Sequence, residues 1–264
     1  MGFPPPSGGG VASVFTRTGA VTAAAGDYTA IASGSVGIYN PAVASATAIA
    51  ITGPGTYFVT GTTAINTVTG AASGCVITLV ASGQAAGICV VLNNATTANA
   101  LSLRDNANLG IYAGESVTLV YNGTYWIEAA RALKTVLAYT QITSDKNVTS
   151  TNSAAGTSVV AAPAITFDGA NAIEIIFYAH LVGSGTIYCR LMTYDGATPL
   201  NEMWRTIGTT SPGTCVIKLT PTAASHTYGI FGYVDAGTGV VYAGAIGGGA
   251  ASSGPAYIQI NRAI

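Results

Sequence analysis

Charge is the scarcest property of this sequence. Only 7 % of its 264 residues are Asp, Glu, Lys or Arg, against roughly 25 % in ordinary globular domains, while 49 % are hydrophobic. Such a chain cannot dress itself in the charged, mixed surface of a soluble monomer. Long apolar runs are missing too. A membrane-spanning helix needs about 20 consecutive apolar residues, and the longest candidate, residues 240–251, is broken by Gly244, Gly247, Gly248 and Gly249. That argues against membrane insertion and leaves an assembly as the place where apolar surface is hidden. No basic patch exists either. The nine Lys and Arg are scattered singly and net charge is −1, so the electrostatic footprint of a nucleic-acid binder is absent. The opening segment, MGFPPPSGGG, lacks the basic start and apolar core of a signal peptide. Cys75, Cys89, Cys189 and Cys215 form no CxxC pair. The apolar runs GCVITLV and GICVVL predict free structural thiols rather than disulfides or a metal site.

Small residues fill the space that charge leaves. The chain has 45 Ala, 35 Thr and 34 Gly, residues that let backbones approach closely between packed subunits. Residues 1–45 read as an extended arm and attachment segment, Pro- and Gly-rich at the start. From 46 to 139 short β-rich runs (ATAIAI, TYFVT, CVITLV, ICVVL, LSL, SVTLVY, YWIEAA) recur about every ten residues between Gly, Asn and Ser. Asn122-Gly123 is the strongest hairpin signal, of the type I′ kind. RALKTVLAY, residues 131–139, alone has helical flavour and is equally compatible with a strand. Residues 140–158 are polar and predict a linker. Residues 159–264 predict a second β unit of roughly eight strands, the arithmetic of a jelly roll or sandwich. In AIEIIFYAHLV one phase (Ile173, Ile175, Phe177, Ala179) is apolar and the other mixes Glu174, Ile176, Tyr178 and His180. Turns are expected at Asp168-Gly169, Gly183-Ser184-Gly185, Asp195-Gly196, Ser211-Pro212-Gly213 and Gly237-Thr238-Gly239. The fold class is all-β.

Three segments carry a resemblance. VFTRTGAVTAAAGDY, residues 14–28, resembles the VFxRTGAVxAxxGDY element near the start of many tailed-bacteriophage fibre proteins. LSLRDNANLGIYAGESVTLVYNGTYWIEAAR, residues 101–131, resembles a β repeat module of phage fibres and spikes. The second unit, ending PAYIQINRAI, is similar to trimeric jelly-roll heads of the complement-C1q and tumour-necrosis-factor type. The resemblance implies a homotrimeric structural protein of the virion surface, assembled in the host cytoplasm: a short fibre or spike with an extended N-terminal arm, a β shaft module and a distal jelly-roll head. Partners are then other virion proteins of tail or capsid, and a host-surface glycan or protein. The chain's modest length keeps a head fibre or capsid decoration protein, gripping the major capsid protein, as an alternative. A glycan-degrading tailspike is a second alternative.

On this reading Phe3, Pro4, Pro5, Pro6, Val14, Phe15 and Arg17 mount the protein on the particle. Tyr194, Asp195, Asn201, Trp204 and Arg205, in or near turns of the second unit, are the candidate receptor contacts, because Tyr, Trp and Arg dominate such surfaces. Trp204 as a strand anchor competes with that role, and Trp126 is expected in core or trimer-axis packing. No catalytic residues and no cofactor are expected. Most acids (Asp27, Asp105, Asp145, Asp168, Asp195, Asp235) lie in turn-like contexts. No spacing pairs two carboxylates for glycoside hydrolysis, and His180 and His226 share no ligand spacing. LRDNAN reads as a turn or an asparagine ladder between stacked layers rather than a calcium loop.

Overall fold

The computed structural model describes residues 40–83, 88–94, 96–182, 188–207, 210–244 and 254–263, with residues 13–14 and 17–18 as well; the backbone alone is described at 13–14, 17–18, 180–182, 206–207 and 210–212. Strands β1 (Ser13–Val14) and β2 (Arg17–Thr18) pair antiparallel, Val14 opposite Arg17. Phe3, Pro4, Pro5, Pro6 and Phe15 lie outside the described residues, as does the turn expected at Gly183-Ser184-Gly185.

The protein is all-β, with no α-helix among the described residues. The first unit holds β3 (Val43–Ala44), β4 (Ala48–Ala50), β5 (Gly55–Thr60), β6 (Thr67–Thr69), β7 (Val76–Ala81) and β8 (Cys89–Val91). It continues with β9 (Leu101–Ser102), β10 (Leu109–Ile111), β11 (Ser116–Tyr121) and β12 (Trp126–Ala132). Its start is solenoid-like. β3, β5 and β7 pair in parallel, as do β4 and β6, and an isolated parallel bridge joins Ile65 to Val91. Each strand meets its partner one coil later, Ala48 facing Thr67 and Gly55 facing Ile77. Parallel stacking of this kind leaves the inward positions of every coil in one column. Tyr57, Val59, Ile77 and Leu79 fill it. Asparagines bind the coils at their corners: Asn94 Nδ2 donates to Asn66 Oδ1 (3.0 Å), and Asn93 and Asn108 side chains accept the amides of Leu103 and Asn93. The coils end where β7, β11 and β12 turn antiparallel.

The hairpin at Asn122-Gly123 is present, but its turn differs from the expected one. Tyr121 pairs with Trp126 across a four-residue loop. Asn122 Oδ1 accepts the amides of Thr124 (2.9 Å) and Tyr125 (2.7 Å), and only Gly123 takes a positive φ. The side-chain turn satisfies donors that a type I′ turn would leave to the opposite strand.

The second unit holds β13 (Val136–Gln141), β14 (Lys146–Val148), β15 (Thr157–Ala161), β16 (Ile165–Thr166), β17 (Ile173–Val182) and β18 (Tyr188–Asp195). β19 (Thr198–Ile207), β20 (Thr210–Leu219), β21 (Ser225–His226), β22 (Tyr228–Val234), β23 (Gly239–Tyr242) and β24 (Tyr257–Arg262) complete it. The long strands pair from the outside inward: β13 with β24, β15 with β22, β17 with β20, β18 with β19, all antiparallel. Pairings β17 to β24 and β18 to β22 then sew this folded ribbon into two sheets. Ile173, Ile175, Phe177 and Ala179, each at most 1 % exposed, point into the core between them, the phase expected from their alternation.

RALKTVLAY, compatible with helix or strand by sequence, spans the end of β12 and the start of β13, with Tyr139 opposite Gln259. Two expectations shift. The segment expected as linker packs into the second unit, since Ile142 and Val148 are buried in its core. Polar composition there reflects the outward faces and turns of short strands. The turn expected at Ser211-Pro212-Gly213 lies within β20, Pro212 opposite His180. Among the described residues β20 pairs with β17 alone, and an edge strand tolerates a residue without an N–H.

The two units meet through β10. Gly110 N donates to Asp168 Oδ2 (2.7 Å), Tyr112 Oη to the Thr166 carbonyl (2.9 Å), and Asn171 Nδ2 to the Asn108 carbonyl (3.1 Å). A Cβ on Gly110 would lie 2.8 Å from the Asp168 carboxylate and 3.0 Å from Ile88, so only glycine permits this approach. Asp168 thus does more than cap its own turn. At the centre of the joint Arg262 Nη2, from the last strand, bonds Glu115 Oε2 (2.9 Å) and the Gly110 carbonyl (3.2 Å). Glu115 also accepts the amides of Tyr112 and Lys134. Both side chains are buried. Burial pushes the Tyr112 hydroxyl above its ordinary value, although Arg262 beside it pulls the other way.

Candidate functional site

Two sheet faces of the second unit present side chains that the core does not use. On the β13–β24–β17–β20 face, the outward phase brings Tyr139, Tyr257 and Tyr178 side by side on three adjacent strands. Ring centroids lie 5.3 Å apart for Tyr139 and Tyr257, and 5.8 Å for Tyr178 and Tyr257. Ile176 stands opposite Val216, and Val136 extends the face along β13. Tyr139 is 48 % exposed, Val216 55 % and Val136 44 %. In register Gln259 stands between Tyr139 and Ile176, and Glu174 opposite Lys218 lies two residues along the same phase, so the tyrosines form an aromatic cluster within a mixed face.

On the opposite sheet, β18, β19 and β22 place Arg190 between Tyr188 and Tyr233, its guanidinium 5.5 and 5.6 Å from the two ring centroids. Glu202 and Asp235 flank it at 3.6 and 3.3 Å. Arg205 packs over the other side of the group, 5.6 Å from the Tyr188 ring. Burial, then the Glu202 carboxylate hydrogen-bonded to it, push the Tyr233 hydroxyl above its ordinary value. Stacked guanidinium and phenol groups cost little entropy to immobilise, which suits a contact surface.

The candidate receptor contacts divide. Arg205 belongs to this surface, and Asn201 is exposed at its margin, its carbonyl accepting Thr193 Oγ1 (3.2 Å). Tyr194 does not reach the surface: it is 2 % exposed, stacks on Phe231 at 4.3 Å and donates its hydroxyl to the Ser153 carbonyl. The segment around Ser153 and Gly156 and the Phe231 ring cover this side chain, while β18 pairs with β22 without a register shift through Tyr194. Asp195 is taken by His226, its Oδ2 2.5 Å from Nδ1. His226 also lies 3.0 Å from Thr222 Oγ1 and stacks parallel on Tyr228. Burial and Asp195 push the Tyr228 hydroxyl up to about 12. Trp204 packs against the core, and a Cβ on Gly213 would meet its ring at 2.9 Å, which is the anchoring role. Val14 and Arg17 are described only as a backbone pair.

Sequence reasoning missed Tyr188, Arg190, Tyr233, Tyr139 and Tyr257. Strand phase could have found the last, because Tyr257, Gln259 and Asn261 alternate with Ile258 and Ile260. The same alternation puts Arg262 on the apolar phase, a signal of a buried partner.

The acids are mostly structural. Glu128 is buried and accepts two hydrogen bonds from Arg131 (2.5 and 2.6 Å) and the Arg104 amide (3.1 Å). Burial pushes its carboxyl up. The Arg131 and Arg104 bonds and charges outweigh that and hold it below the ordinary glutamate value of 4.5. A carboxyl depressed on folding contributes stability above its unfolded value and loses it as pH falls through the folded one. Denaturant midpoints should therefore show Glu128→Gln clearly less stable at pH 7, with the gap to the natural protein closing below pH 4.5. A gap unchanged down to pH 3 would contradict this assignment.

All four cysteines are free, and burial pushes the Cys89 and Cys189 thiols up to about 11, which makes them inert. Among the described residues no group of three or more His, Cys, Asp or Glu could hold a metal ion, and no helix is long and apolar enough to cross a membrane. No protein-family model and no curated protein matches this chain.

Proposed function

We propose that this chain is a non-enzymatic structural protein of a bacteriophage virion, a short homotrimeric fibre or spike. Its N-terminal arm mounts it on the particle, the solenoid-like module forms the neck, and the second unit is a jelly-roll head that contacts the host surface. The outside-in strand pairing supports a jelly roll, since a long ribbon paired first to last and rolled up is the two-Greek-key plan. The observation that carries the trimer is the tyrosine face. Tyr139, Tyr178 and Tyr257 cluster on one sheet face with Ile176 and Val216, beside Gln259 and the paired Glu174 and Lys218, in a chain where charge is 7 %. A closed ring of three copies covers such faces around an axis and leaves the Arg190 surface outward.

Native mass spectrometry or light scattering on the full chain tests this. The natural protein should run as a trimer, and Val216→Asp combined with Tyr139→Asp should give monomers, because each would bury uncompensated charge. A folded natural monomer at micromolar concentration would sink the reading.

A further inference from the structure

The sequence holds one Asn-Gly pair, Asn122-Gly123, and the fold sets it at the tip of the β11–β12 hairpin. Asn122, Gly123 and Thr124 are all exposed, so water and hydroxide reach both side chain and backbone. An asparagine carries a latent intramolecular reaction, attack of the next backbone nitrogen on its own side-chain carbonyl carbon. Glycine as that next residue lacks the Cβ that would crowd the approach. In an unfolded chain the same pair reacts with nothing to position it.

The folded turn supplies that positioning. Asn122 Oδ1 accepts the Thr124 amide at 2.9 Å and the Tyr125 amide at 2.7 Å. Both donors point at the oxygen on which negative charge collects when Cγ becomes tetrahedral, the arrangement of an oxyanion hole. The nucleophile is unencumbered: among the described residues the Gly123 N–H donates to no acceptor, so losing its proton breaks no hydrogen bond. The turn is anchored from both sides. Tyr121 Oη donates to the Gly123 carbonyl (3.1 Å), Asn122 N to the Tyr125 carbonyl (3.0 Å) and Asn99 N to the Thr124 carbonyl (2.7 Å). These bonds hold the two donors in place while the ring closes. Comparable pairs are blocked. At Asp195-Gly196 the glycine amide is committed to the Thr227 carbonyl (2.9 Å), and Asp168-Gly169 has no side-chain nitrogen to lose. Every other asparagine precedes a residue with a side chain, which at Asn40 is a proline without an N–H.

We propose that Asn122 is a self-modifying site, which converts in the folded protein to aspartate and isoaspartate. Hydroxide takes the Gly123 amide proton, and the nitrogen attacks Asn122 Cγ. The N–Cγ bond forms, the Cγ–Nδ2 bond breaks, and Nδ2 leaves as ammonia with a proton from water, which restores the hydroxide. A second water opens the five-membered imide. Cleavage at Cγ gives aspartate, and cleavage at the main-chain carbonyl gives isoaspartate, with an extra methylene in the backbone. The net change consumes one water and releases one ammonia, with no oxidant or reductant. Either product adds a negative charge to a chain of net charge −1, and isoaspartate withdraws Oδ1 from the turn amides.

Incubation of the full natural chain at mildly alkaline pH tests this, folded in sodium chloride and unfolded in guanidinium chloride of equal concentration. Peptide mass mapping locates the change of amide to acid, and enzymatic methylation counts isoaspartate. Asn122 should convert ahead of every other asparagine, in proportion to hydroxide concentration, and about tenfold faster folded than unfolded. That factor lies below the roughly 10²–10³ of one enzymatic oxyanion-hole donor, because water competes at an exposed turn. Asn122→Ser keeps a side-chain oxygen for the turn amides and should remove the ammonia released from this position. An equal or slower rate in the folded chain would overturn the proposal, since the pair would then react without help from the turn. Earlier conversion of another asparagine, or undiminished ammonia from Asn122→Ser, would overturn it as well.

Discussion

Replacing Glu115 by alanine is expected to lower the unfolding free energy by about 3–5 kcal/mol, the usual cost of breaking a buried ion pair from one side. Glu115 is 1 % exposed. Its loss leaves the Arg262 charge buried without a counter-ion and strips acceptors from the Tyr112 and Lys134 amides. Domains of this size hold only about 5–15 kcal/mol in total, so a large share disappears with one carboxylate. Chemical denaturation at one fixed protein concentration measures it, which removes the mass-action term of an oligomer. The companion variant Glu115→Leu with Arg262→Met removes both charges and should recover only the share due to the uncompensated guanidinium, because the Tyr112 and Lys134 amides still lack an acceptor. A loss below about 1 kcal/mol in Glu115→Ala would mean that water reaches Arg262, and the joint would not be the clamp described above.

Trp126→Ala should cost a similar amount, about 3–5 kcal/mol, the range for emptying a buried aromatic site. Trp126 is fully buried in the first unit, 5.1 Å from the Tyr121 ring, and its Nε1 donates to the Val68 carbonyl at 2.8 Å. That bond ties the antiparallel end of the module to the solenoid-like coils. Trp126→Phe keeps most of the ring volume and should lose only about 1–3 kcal/mol, for the stranded carbonyl. Trp204 is then the sole tryptophan and reports on the second unit, since the chain has two. If the Arg262 clamp couples the units, Trp204 fluorescence should change in the same transition as the far-ultraviolet signal of the whole chain. Separate transitions would show that the units unfold independently.

The difference between these residues is instructive. Trp126 was expected in packing because an aromatic in a run bounded by Gly and Asn has few other uses. Glu115 sits in AGES and Arg262 in INRAI, and no local pattern joins two residues so far apart in the chain. Only the phase of β24 hints at Arg262. Tyr194 shows the reverse failure: its position near Asp195-Gly196 suggested a surface, but the segment around Ser153 and Gly156, remote in sequence, covers it. The Ser211-Pro212-Gly213 turn failed for a related reason. Turn chemistry describes what a segment can do alone, and the open edge of β20 allowed the same residues to remain extended.

By itself the sequence determined the all-β class, the apolar phase of β17 and the hairpin at Asn122, because side-chain alternation and turn residues act over a few neighbours. The tertiary structure decided everything that needs a distant partner. Parallel coils, the joint at Gly110, the Arg262–Glu115 pair, the tyrosine face and the Arg190 stack each combine strands remote in the chain. Their register is set by which apolar columns fill a common core, a collective quantity that no local window contains.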